Sequence, residues 1–525
     1  EQGKLDLDAD VNKYITNFQI DDTYPGQPVT MRHIMTHSAG FEDGGLGYLI
    51  LDDINDTIPL ADAMKKYEPA RVNAPGAQTA YSNYATSIAG LVVQNLSGQA
   101  FNDYVKTNIF DVLGMDSSSF YEPLPENLND NMAVAYKFEA GKYVAQPFEI
   151  VASFSPAGAA SATATDMIKF AQAILNGGEL DGARILRADT VEQMLTRNFS
   201  HDPHMMGLAL GFYETEHSGV RLLGHGGDTA FFHSELAIDQ SNNLAFFVSF
   251  SGAGGSKVRS SFATSFYEAF NAQEIVPVTP PADFAERAGK YAGEYRFWRS
   301  SFTKVEKALG ITGGLNVAPT ANNTLLFAFG ASPKEYVEID KNLFRQVGGE
   351  SKLAFQENTS GDITGFVIDG APFMSTYKSP FYLTSGFNQG FLALSLLMFV
   401  GVLLKLAYRW KTHREMQGTE KTLNRAVLYT AGLNMLVIII GAIVLTAFGD
   451  RLQFGVPTPI AMWLWLPIFS TIAGFYLAYN AVTVWKDGLL ASIWARVRYS
   501  LLAAAGLFMA WFYYFWNLLG FNYFS

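Results

Sequence analysis

The amino-acid sequence predicts an α+β front part followed by a helical, membrane-embedded rear part. Three observations support this prediction. Residues 1–275 mix helical and strand patterns, residues 282–378 carry short alternating strands, and four long apolar runs follow Gly386. We therefore expect an antiparallel sheet flanked by helices, a small β domain and four C-terminal transmembrane helices.

Two helices stand out in the first region. Apolar residues recur at helical spacing in Asn83–Leu96 and Asp166–Leu175, and a glycine follows each segment. Thr163 or Thr165 is expected to cap the second helix, because a threonine hydroxyl can accept a hydrogen bond from a free amide in the first turn.

Strand patterns extend into the second region, where the proline-rich stretch 276–281 predicts a linker. The clearest strand-like segments are Leu236–Ile238, Leu244–Phe250, Leu325–Phe329, Tyr336–Ile339 and Ile363–Ile368. The first two are separated by a polar turn, which is typical of a hairpin. We expect domains at 1–275 and 282–380, followed by a membrane region at 386–525.

Four apolar runs each reach the roughly 20 residues that a helix needs to cross a bilayer. They lie near 389–408, 427–448, 459–484 and 499–519. The loop 409–425 and the segment 486–498 hold most of the Lys and Arg of this region. Positive loops stay in the cytoplasm, so the front part is expected outside the cell membrane and the C-terminus as well.

The composition excludes several classes of function. The chain has no cysteine, which rules out disulfides and thiolate chemistry. Its net charge is -12, although residues from Gly386 onward carry 10 Lys and Arg against 4 Asp and Glu. The front part is therefore acidic and would repel nucleic acid. No signal peptide is visible before the abrupt opening at Glu1, so we expect the sequence to lack its natural beginning.

A set of motifs in fixed order resembles the serine β-lactamase and penicillin-binding-protein superfamily, in particular its class C β-lactamase, D-aminopeptidase and esterase branch. The matching segments are Gly3–Val11, Met31–Gly40, Pro75-Gly76 ahead of Tyr81-Ser82-Asn83, Pro156-Ala157-Gly158 and Gly224–Gly227. Any one tripeptide is weak evidence, whereas five segments in the family's order are specific. The resemblance covers about half of the chain and implies a β-lactamase/transpeptidase-like fold.

The resemblance implies a role for each residue of these motifs. Tyr81 would join the proton network of the nucleophile, and Asn83 would bond the family's lysine or the substrate amide; a packed aromatic and a helix N-cap are the alternative interpretations. His225 would line the cleft on a strand whose Gly226 and Gly227 admit a substrate backbone. The amide of Asp228 would donate to the oxyanion.

Histidine at 225 departs from the family pattern, since many members that process β-lactams have lysine there. With an ordinary pKa near 6.5, histidine is largely uncharged at neutral pH. This difference favours peptide or ester substrates over β-lactams. The alternative for His225 itself is a solvated histidine in a turn.

The serine and lysine of the family's Ser-x-x-Lys motif do not precede Tyr81, so the nucleophile cannot be numbered. Ser301-Phe302-Thr303-Lys304 fits the pattern literally but comes after the strand motif, and we interpret it as a coincidence. His37 is interpreted as structural. His201 and His204 lack metalloprotease spacing, and neither a metal nor an organic cofactor is implied.

We expect a membrane-anchored serine hydrolase that forms an acyl-enzyme with D-amino-acid peptides, esters or β-lactams, in that order, and that is inactive as the chain Glu1–Ser525. A non-catalytic sensor of cell-wall peptides is the alternative, and a transporter is a weaker one. The membrane helices are expected to act as an anchor or to form homo-oligomers. Asn434 and Asn480 could bond between helices, and Gly474 and Gly506 could allow close packing.

Overall fold

The computed structural model describes residues 1–328, 332–520 and 522–524, and the chain divides into two compact units. The first unit comprises Glu1–Asp43, Tyr48–Ser300 and Leu315–Lys378, and the second comprises Gly44–Gly47, Ser301–Gly314 and Ser379–Ser525. The first unit therefore contains region 1–275 together with most of region 282–380.

Helices of region 1–275 include both of the predicted ones. The α-helices are α1 (Met31–Met35), α2 (Leu60–Lys66), α3 (Asn83–Ser97), α4 (Phe101–Val105), α5 (Asp111–Leu113), α6 (Glu126–Asn129), α7 (Ser155–Gly158), α8 (Ala164–Leu175), α9 (Ala188–Leu195) and α10 (Gly255–Asn271). Short 3-10 turns cover Val11–Lys13, Ile54–Asp56 and Ala152–Phe154, and a π-helical turn covers Lys106–Phe110.

The ends of α3 and α8 follow from local chemistry. Ser82 caps α3 by accepting a hydrogen bond from the amide of Ala85, and Gly98 ends the helix in the left-handed conformation, with φ of 73°. For α8, Thr163 is the capping residue, since its side chain accepts from the amide of Asp166. Both predicted helices are confirmed.

A four-stranded antiparallel sheet forms the centre of this region. The strands are β1 (Tyr136–Glu139), β2 (Lys142–Ala145), β3 (Glu179–Leu180), β4 (Ala183–Arg184), β5 (Tyr213–His217), β6 (Val220–Asp228), β7 (Phe232–Asp239) and β8 (Leu244–Ser251). The main sheet has the order β5-β6-β7-β8, and β1–β2 and β3–β4 are separate hairpins. Strands β7 and β8 extend beyond the predicted segments on both sides of the polar turn.

Alternating side chains of this sheet bury both of its faces. On one face, Leu223 and Ile238 pack with Ile174 of α8. On the other, Leu222 and Ala237 pack with the residues that α10 contributes. This is the expected antiparallel sheet flanked by helices.

Residues 282–378 form a curled antiparallel sheet with an aromatic interior, which confirms the expected small β structure. The elements are α11 (Phe284–Arg287), a 3-10 turn at Ala288–Lys290, β9 (Gly293–Phe297), β10 (Leu315–Pro319), β11 (Leu325–Ala328), β12 (Lys334–Asp340), β13 (Leu343–Gln346), β14 (Lys352–Glu357), β15 (Ile363–Ile368) and β16 (Thr376–Lys378). Phe329, the last residue of one predicted strand, lies outside the described residues.

A side chain of β16 joins the two ends of the eight-stranded sheet. Their order is β15-β14-β13-β12-β11-β10-β9-β16, so β15 and β16 are the two ends. The hydroxyl of Thr376 accepts from the amide of Phe366 and donates to its carbonyl, both at 2.9 Å. The interior holds the fully buried rings of Phe284, Tyr295 and Phe344.

The second unit is a bundle of apolar helices. Its α-helices are α12 (Ser385–Tyr408), α13 (Trp410–Glu415), α14 (Gly418–Phe448), α15 (Thr458–Trp463), α16 (Leu466–Lys486) and α17 (Ile493–Phe515), with 3-10 turns at Val305–Thr312, Phe381–Leu383 and Gly449–Arg451. In the described part of the chain, three segments are long and apolar enough to cross a membrane: Ser385–Tyr408, Gly418–Arg451 and Thr458–Lys486.

The expectation of four spans is therefore corrected to three. The fourth apolar run does form a helix, α17, of 23 residues. Arg496 and Arg498 lie in its N-terminal part, and its C-terminal part is rich in Trp and Tyr, whose polar groups lower the hydropathy.

Small and polar side chains hold this bundle together, because small residues let the helix backbones approach closely. A Cβ added at Gly474 of α16 would lie 2.8 Å from the carbonyl oxygen of Gly506 in α17, so the two backbones touch. Tyr513 donates a hydrogen bond to the side chain of Asn434 at 2.9 Å. Asn480, by contrast, donates to Tyr476 of its own helix.

The backbone contact predicts that Gly474→Ala destabilises the bundle. The methyl group has no space unless α16 and α17 separate, and overpacking of this kind costs about 1–3 kcal/mol. Gly432→Ala is the matched control, because a Cβ there would meet nothing within 4 Å. Thermal unfolding in detergent should show a lower Tm for Gly474→Ala alone; equal Tm values for the two variants would contradict the packing.

Candidate active site

The loop that carries Tyr81 is held by backbone hydrogen bonds on two sides. The amide of Ala80 donates to the carbonyl of His37 at 2.8 Å, and the amide of Tyr81 donates to the carbonyl of Phe373 at 3.0 Å. The amide of Ser375 donates to Thr79 at 2.9 Å. The loop is thus clamped between the end of α1 and the segment that leads into β16.

Four side chains surround the ring of Tyr81. The ring of His37 lies 4.1 Å away, between centroids, and the rings of His225 and Phe373 each lie 5.8 Å away. The guanidinium of Arg299 lies 4.6 Å from the ring centroid. Burial raises the pKa of Tyr81, although Arg299 opposes the shift, so the phenol keeps its proton at neutral pH.

His37 packs against the loop that carries Tyr81. Its side chain is buried, and Nδ1 accepts a hydrogen bond from the amide of Ser82 at 3.4 Å. Burial lowers the pKa of His37 to about 3, with smaller contributions from His225 and Arg299. An uncharged imidazole with an occupied Nδ1 matches the structural role inferred from the sequence.

The edge of β6 is unpaired with β5 beyond the point where that strand ends. The last residue of β6 that pairs with β5 is Gly224, whereas β6 continues along β7 to Asp228. The amide of Thr229 donates to Phe232, so by antiparallel alternation the amides of Gly226 and Asp228 point away from β7. Gly227 and Asp228 are both exposed.

His225 is uncharged in this setting. Burial lowers its pKa, and a hydrogen bond to Gly226 opposes the shift. Nδ1 lies 2.7 Å from the carbonyl oxygen of Gly226, which can only accept, so Nδ1 carries the proton. Nε2 is then the acceptor of the ring. The hydroxyl of Tyr213 meanwhile accepts from the amide of Gly226 at 2.6 Å.

A charged cluster fixes the side chain of Asp228. Arg259 of α10 donates to this carboxylate through Nη2 at 2.8 Å and through Nε at 3.2 Å. The same guanidinium bonds Glu235 at 2.5 Å, and Nδ1 of His233 lies 2.6 Å from Asp228. Burial raises the pKa of Glu235. The side chain of Asp228 is thus held, while its amide points away from β7.

Asn83 is the first residue of α3. The N-cap of this helix is Ser82, so the alternative interpretation of Asn83 as the capping residue is wrong. The side chain of Asn83 is partly buried and makes no hydrogen bond to the described residues. It therefore retains its donors and its acceptor for a ligand.

The remaining sequence candidates have other partners, although His201 touches the loop that carries Tyr81. Nε2 of His201 lies 3.1 Å from the hydroxyl of Thr79, and Nδ1 of His204 lies 3.0 Å from Asp202. Within the second unit, the hydroxyl of Ser301 accepts from the backbone amide of Lys304, whose ammonium lies 4.0 Å from the ring of Phe524. The ammonium of Lys304 is thus engaged with an aromatic face.

The structure brings Tyr81, His225 and the Gly226–Asp228 edge together, and it adds residues that sequence reasoning missed. The missed residues are Tyr213, Arg259, Arg299 and Phe373. Tyr213 and Arg259 sit in ordinary strand and helix patterns, and Arg299 and Phe373 belong to the region 282–378, about which the motifs say nothing. No signal in the linear sequence distinguishes them.

Comparisons with known proteins agree with this architecture. The family model described as Beta-lactamase matches residues 1–263. The match spans half of the sequence, and the chain belongs to the Beta-lactamase family.

Curated relatives include hydrolases. The chain is 27% identical over 220 residues to the putative penicillin-binding protein PbpX of Bacillus subtilis, covering 41% of this chain and 48% of the relative. It is 25% identical over 218 residues to a beta-lactamase of Yersinia enterocolitica, covering 41% and 51%. A 26% identical match over 181 residues is the D-alanyl-D-alanine-carboxypeptidase/endopeptidase AmpH of Escherichia coli, covering 34% and 44%. The chain spans about half the length of the curated relatives it matches.

Two solved structures align with the chain at lower sequence identity. The octameric penicillin-binding protein homologue from Pyrococcus abyssi aligns with 19% identity and a TM-score of 0.45, over 72% of this chain and 84% of that chain. A D-stereospecific amidohydrolase from Streptomyces sp. aligns with 20% identity and a TM-score of 0.40, over 52% and 81%.

The buried imidazole of His37 predicts an acid-sensitive fold. The folded-state pKa is about 3, below the ordinary 6.5, so the unfolded chain binds the extra proton and stability falls as pH drops below 6.5. At pH 4.5 His37 should lower the free energy of unfolding by roughly 2–3 kcal/mol, since each pKa unit corresponds to about 1.4 kcal/mol. Urea unfolding at pH 7.0 and 4.5 should show a smaller difference for His37→Gln.

Gln99→Ala is the control for that measurement, because the side chain of Gln99 is exposed and carries no titratable group. Its pH dependence should equal that of the unmodified chain. If His37→Gln also kept the full loss of stability between the two pH values, the buried, uncharged state of His37 would be refuted.

Proposed function

We propose that the cleft between Tyr81 and His225 is the acyl-transfer site of a membrane-anchored serine hydrolase. Its substrates would be D-amino-acid peptides, esters or β-lactams, cleaved at an amide or ester carbonyl through an acyl-enzyme. The distance of 5.8 Å between the two ring centroids, beside a glycine-containing strand edge, carries the proposal. The domains of this proposal are the hydrolase at 1–275, a linker at 276–281, a β domain at 282–380 and the membrane region at 386–525.

Each group would act at one atom of the reaction. The protonated phenol of Tyr81 would exchange a proton with the attacking hydroxyl and the leaving group. Nε2 of His225 would accept a hydrogen bond from the substrate, and the amide of Asp228 would donate to the oxyanion. Asn83 would bond the substrate amide. The two clamped backbone segments around Tyr81 keep this geometry fixed before substrate arrives.

The exposed edge at Gly227 offers a direct test of the cleft. A Cβ at Gly227 meets nothing within 4 Å, so Gly227→Val should fold normally but obstruct a substrate backbone. We expect N-acetyl-D-alanyl-D-alanine to bind the unmodified chain in calorimetry and to bind Gly227→Val at least tenfold more weakly. Gly254→Val is the control, because a Cβ at Gly254 also meets nothing within 4 Å, and this variant should bind the peptide as the unmodified chain does. Unchanged binding to Gly227→Val would exclude this edge as the binding site.

A polypeptide of residues Glu1–Ser525 is expected to be inactive, because no Ser-x-x-Lys precedes Tyr81. In a comparable serine hydrolase, loss of the nucleophile lowers turnover on the order of a millionfold. Such a polypeptide should neither hydrolyse p-nitrophenyl esters nor form an adduct with a labelled penicillin. Labelling that survives Tyr81→Phe and disappears in Ser301→Ala would overturn the proposed site.

A second candidate function is a non-catalytic sensor of cell-wall peptides, because the hydrogen-bonding groups of Asn83 and His225 would serve a bound peptide equally well without chemistry. Tyr81 and His225 could hold a peptide without cleaving it. The coding sequence upstream of the Glu1 codon discriminates the two functions. A Ser-x-x-Lys within a few helical turns before Gly3 supports the enzyme, and its absence supports the sensor.

The proposed topology has the hydrolase domain outside the membrane and the loop 409–425 in the cytoplasm, because positive loops are retained there. Self-association through the membrane helices belongs to the same proposal. The chain contains no cysteine, so single cysteines report their own location. A membrane-impermeant maleimide should label Ser260→Cys in intact cells but should label Thr419→Cys only after lysis; the reverse pattern would invert the topology.

A further inference from the structure

One cation at the cleft comes from outside the motif region. Arg299 follows strand β9, and its guanidinium lies over the ring of Tyr81 at 4.6 Å from the centroid. Its backbone neighbours are fixed, since the amide of Trp298 donates to Ser375 at 3.0 Å and the amide of Asp43 donates to Ser300 at 3.2 Å. The guanidinium is therefore positioned in advance of any ligand.

The other groups beside the cleft provide little fixed positive charge. His225 occupies the position where many relatives that process β-lactams have lysine, and burial lowers its pKa further. Arg259 is positively charged, but it is bonded to two carboxylates, Asp228 at 2.8 Å and Glu235 at 2.5 Å. A negatively charged ligand would have to displace one of them.

Within residues 1–328, 332–520 and 522–524, Arg299 has a single acidic partner. Its Nε donates to Asp43 at 2.8 Å, and its side chain is 33% exposed. The two terminal nitrogens carry four further N–H donors. A guanidinium that stacks on an aromatic face directs these N–H bonds along its own plane, so contact with Tyr81 leaves them usable by an anion.

We propose that Arg299 is a specificity-determining residue that binds a carboxylate of the substrate next to the bond that is cleaved. This inference rests on the proposed function, and it deepens it by naming a substrate class: peptides with a free C-terminal carboxylate. The region 282–378 then acts as a specificity module, because it delivers Arg299 and Phe373 to Tyr81. A planar guanidinium suits a carboxylate, which it can bond through two parallel hydrogen bonds.

The test compares two ligands that differ only in charge. N-acetyl-D-alanyl-D-alanine and its C-terminal amide are titrated into the full chain in detergent, and the Kd of each is measured by calorimetry. We expect the acid to bind at least tenfold more tightly than the amide, as a hydrogen-bonded ion pair would produce. Arg299→Gln should remove this preference by weakening the acid alone. Arg299→Lys keeps the positive charge but loses the planar guanidinium, so it should retain part of the preference for the acid.

Two further variants separate charge from packing. Asp43→Asn removes the competing carboxylate and should strengthen binding of the acid but not of the amide. Lys341→Gln removes an exposed positive charge from the same module and should change neither Kd.

Three outcomes would overturn the inference. Equal affinity of the unmodified chain for acid and amide refutes carboxylate recognition while the proposed function stands, and this comparison needs no variant to fold. Equal weakening of both ligands in Arg299→Gln assigns Arg299 to packing beneath Tyr81. Binding of neither ligand contradicts both the inference and the proposed function.

Discussion

The clamp on the loop Thr79–Tyr81 is the constraint on which the candidate site depends. Three backbone hydrogen bonds tie this loop to His37 on one side and to Phe373 and Ser375 on the other. Backbone amides and carbonyls must be paired when they are buried, so these bonds fix the loop more firmly than side-chain contacts would. The backbone of Tyr81 is thereby fixed, and the rings of His37 and Phe373 orient its side chain next to His225 on β6.

Burial determines the protonation states of the titratable side chains around this loop. It keeps His37 and His225 uncharged and keeps the proton on Tyr81, because each charged form would lose its hydration. The permanent charges belong to arginines that meet carboxylates, at Asp228 and at Asp43. The groups around Tyr81 are therefore a protonated phenol and neutral imidazoles, with paired charges at Arg259 and Arg299.

The sequence predicted the parts of the fold that local chemistry determines. Helix α3 has its serine cap and its C-terminal glycine within the sequence itself, and β7–β8 has its polar turn. The convergence of Tyr81 and His225 could be expected from the family resemblance, whereas Arg299 and Phe373 depend on how region 282–378 packs. The prediction of four membrane spans was wrong at α17. This helix is long enough to cross a membrane, but Arg496 and Arg498 lower its hydropathy.

The absence of cysteine from the chain permits one direct measurement of the central claim, the convergence of Tyr81 and His225. A Tyr81→Cys/His225→Cys double variant is treated with thiol cross-linkers of increasing length, and each single variant serves as control. We predict intramolecular cross-linking by short reagents, because the ring centroids lie 5.8 Å apart and each thiol would lie within one side-chain length of its former ring. Cross-linking by long reagents only, with none by short ones, would contradict the shared cleft.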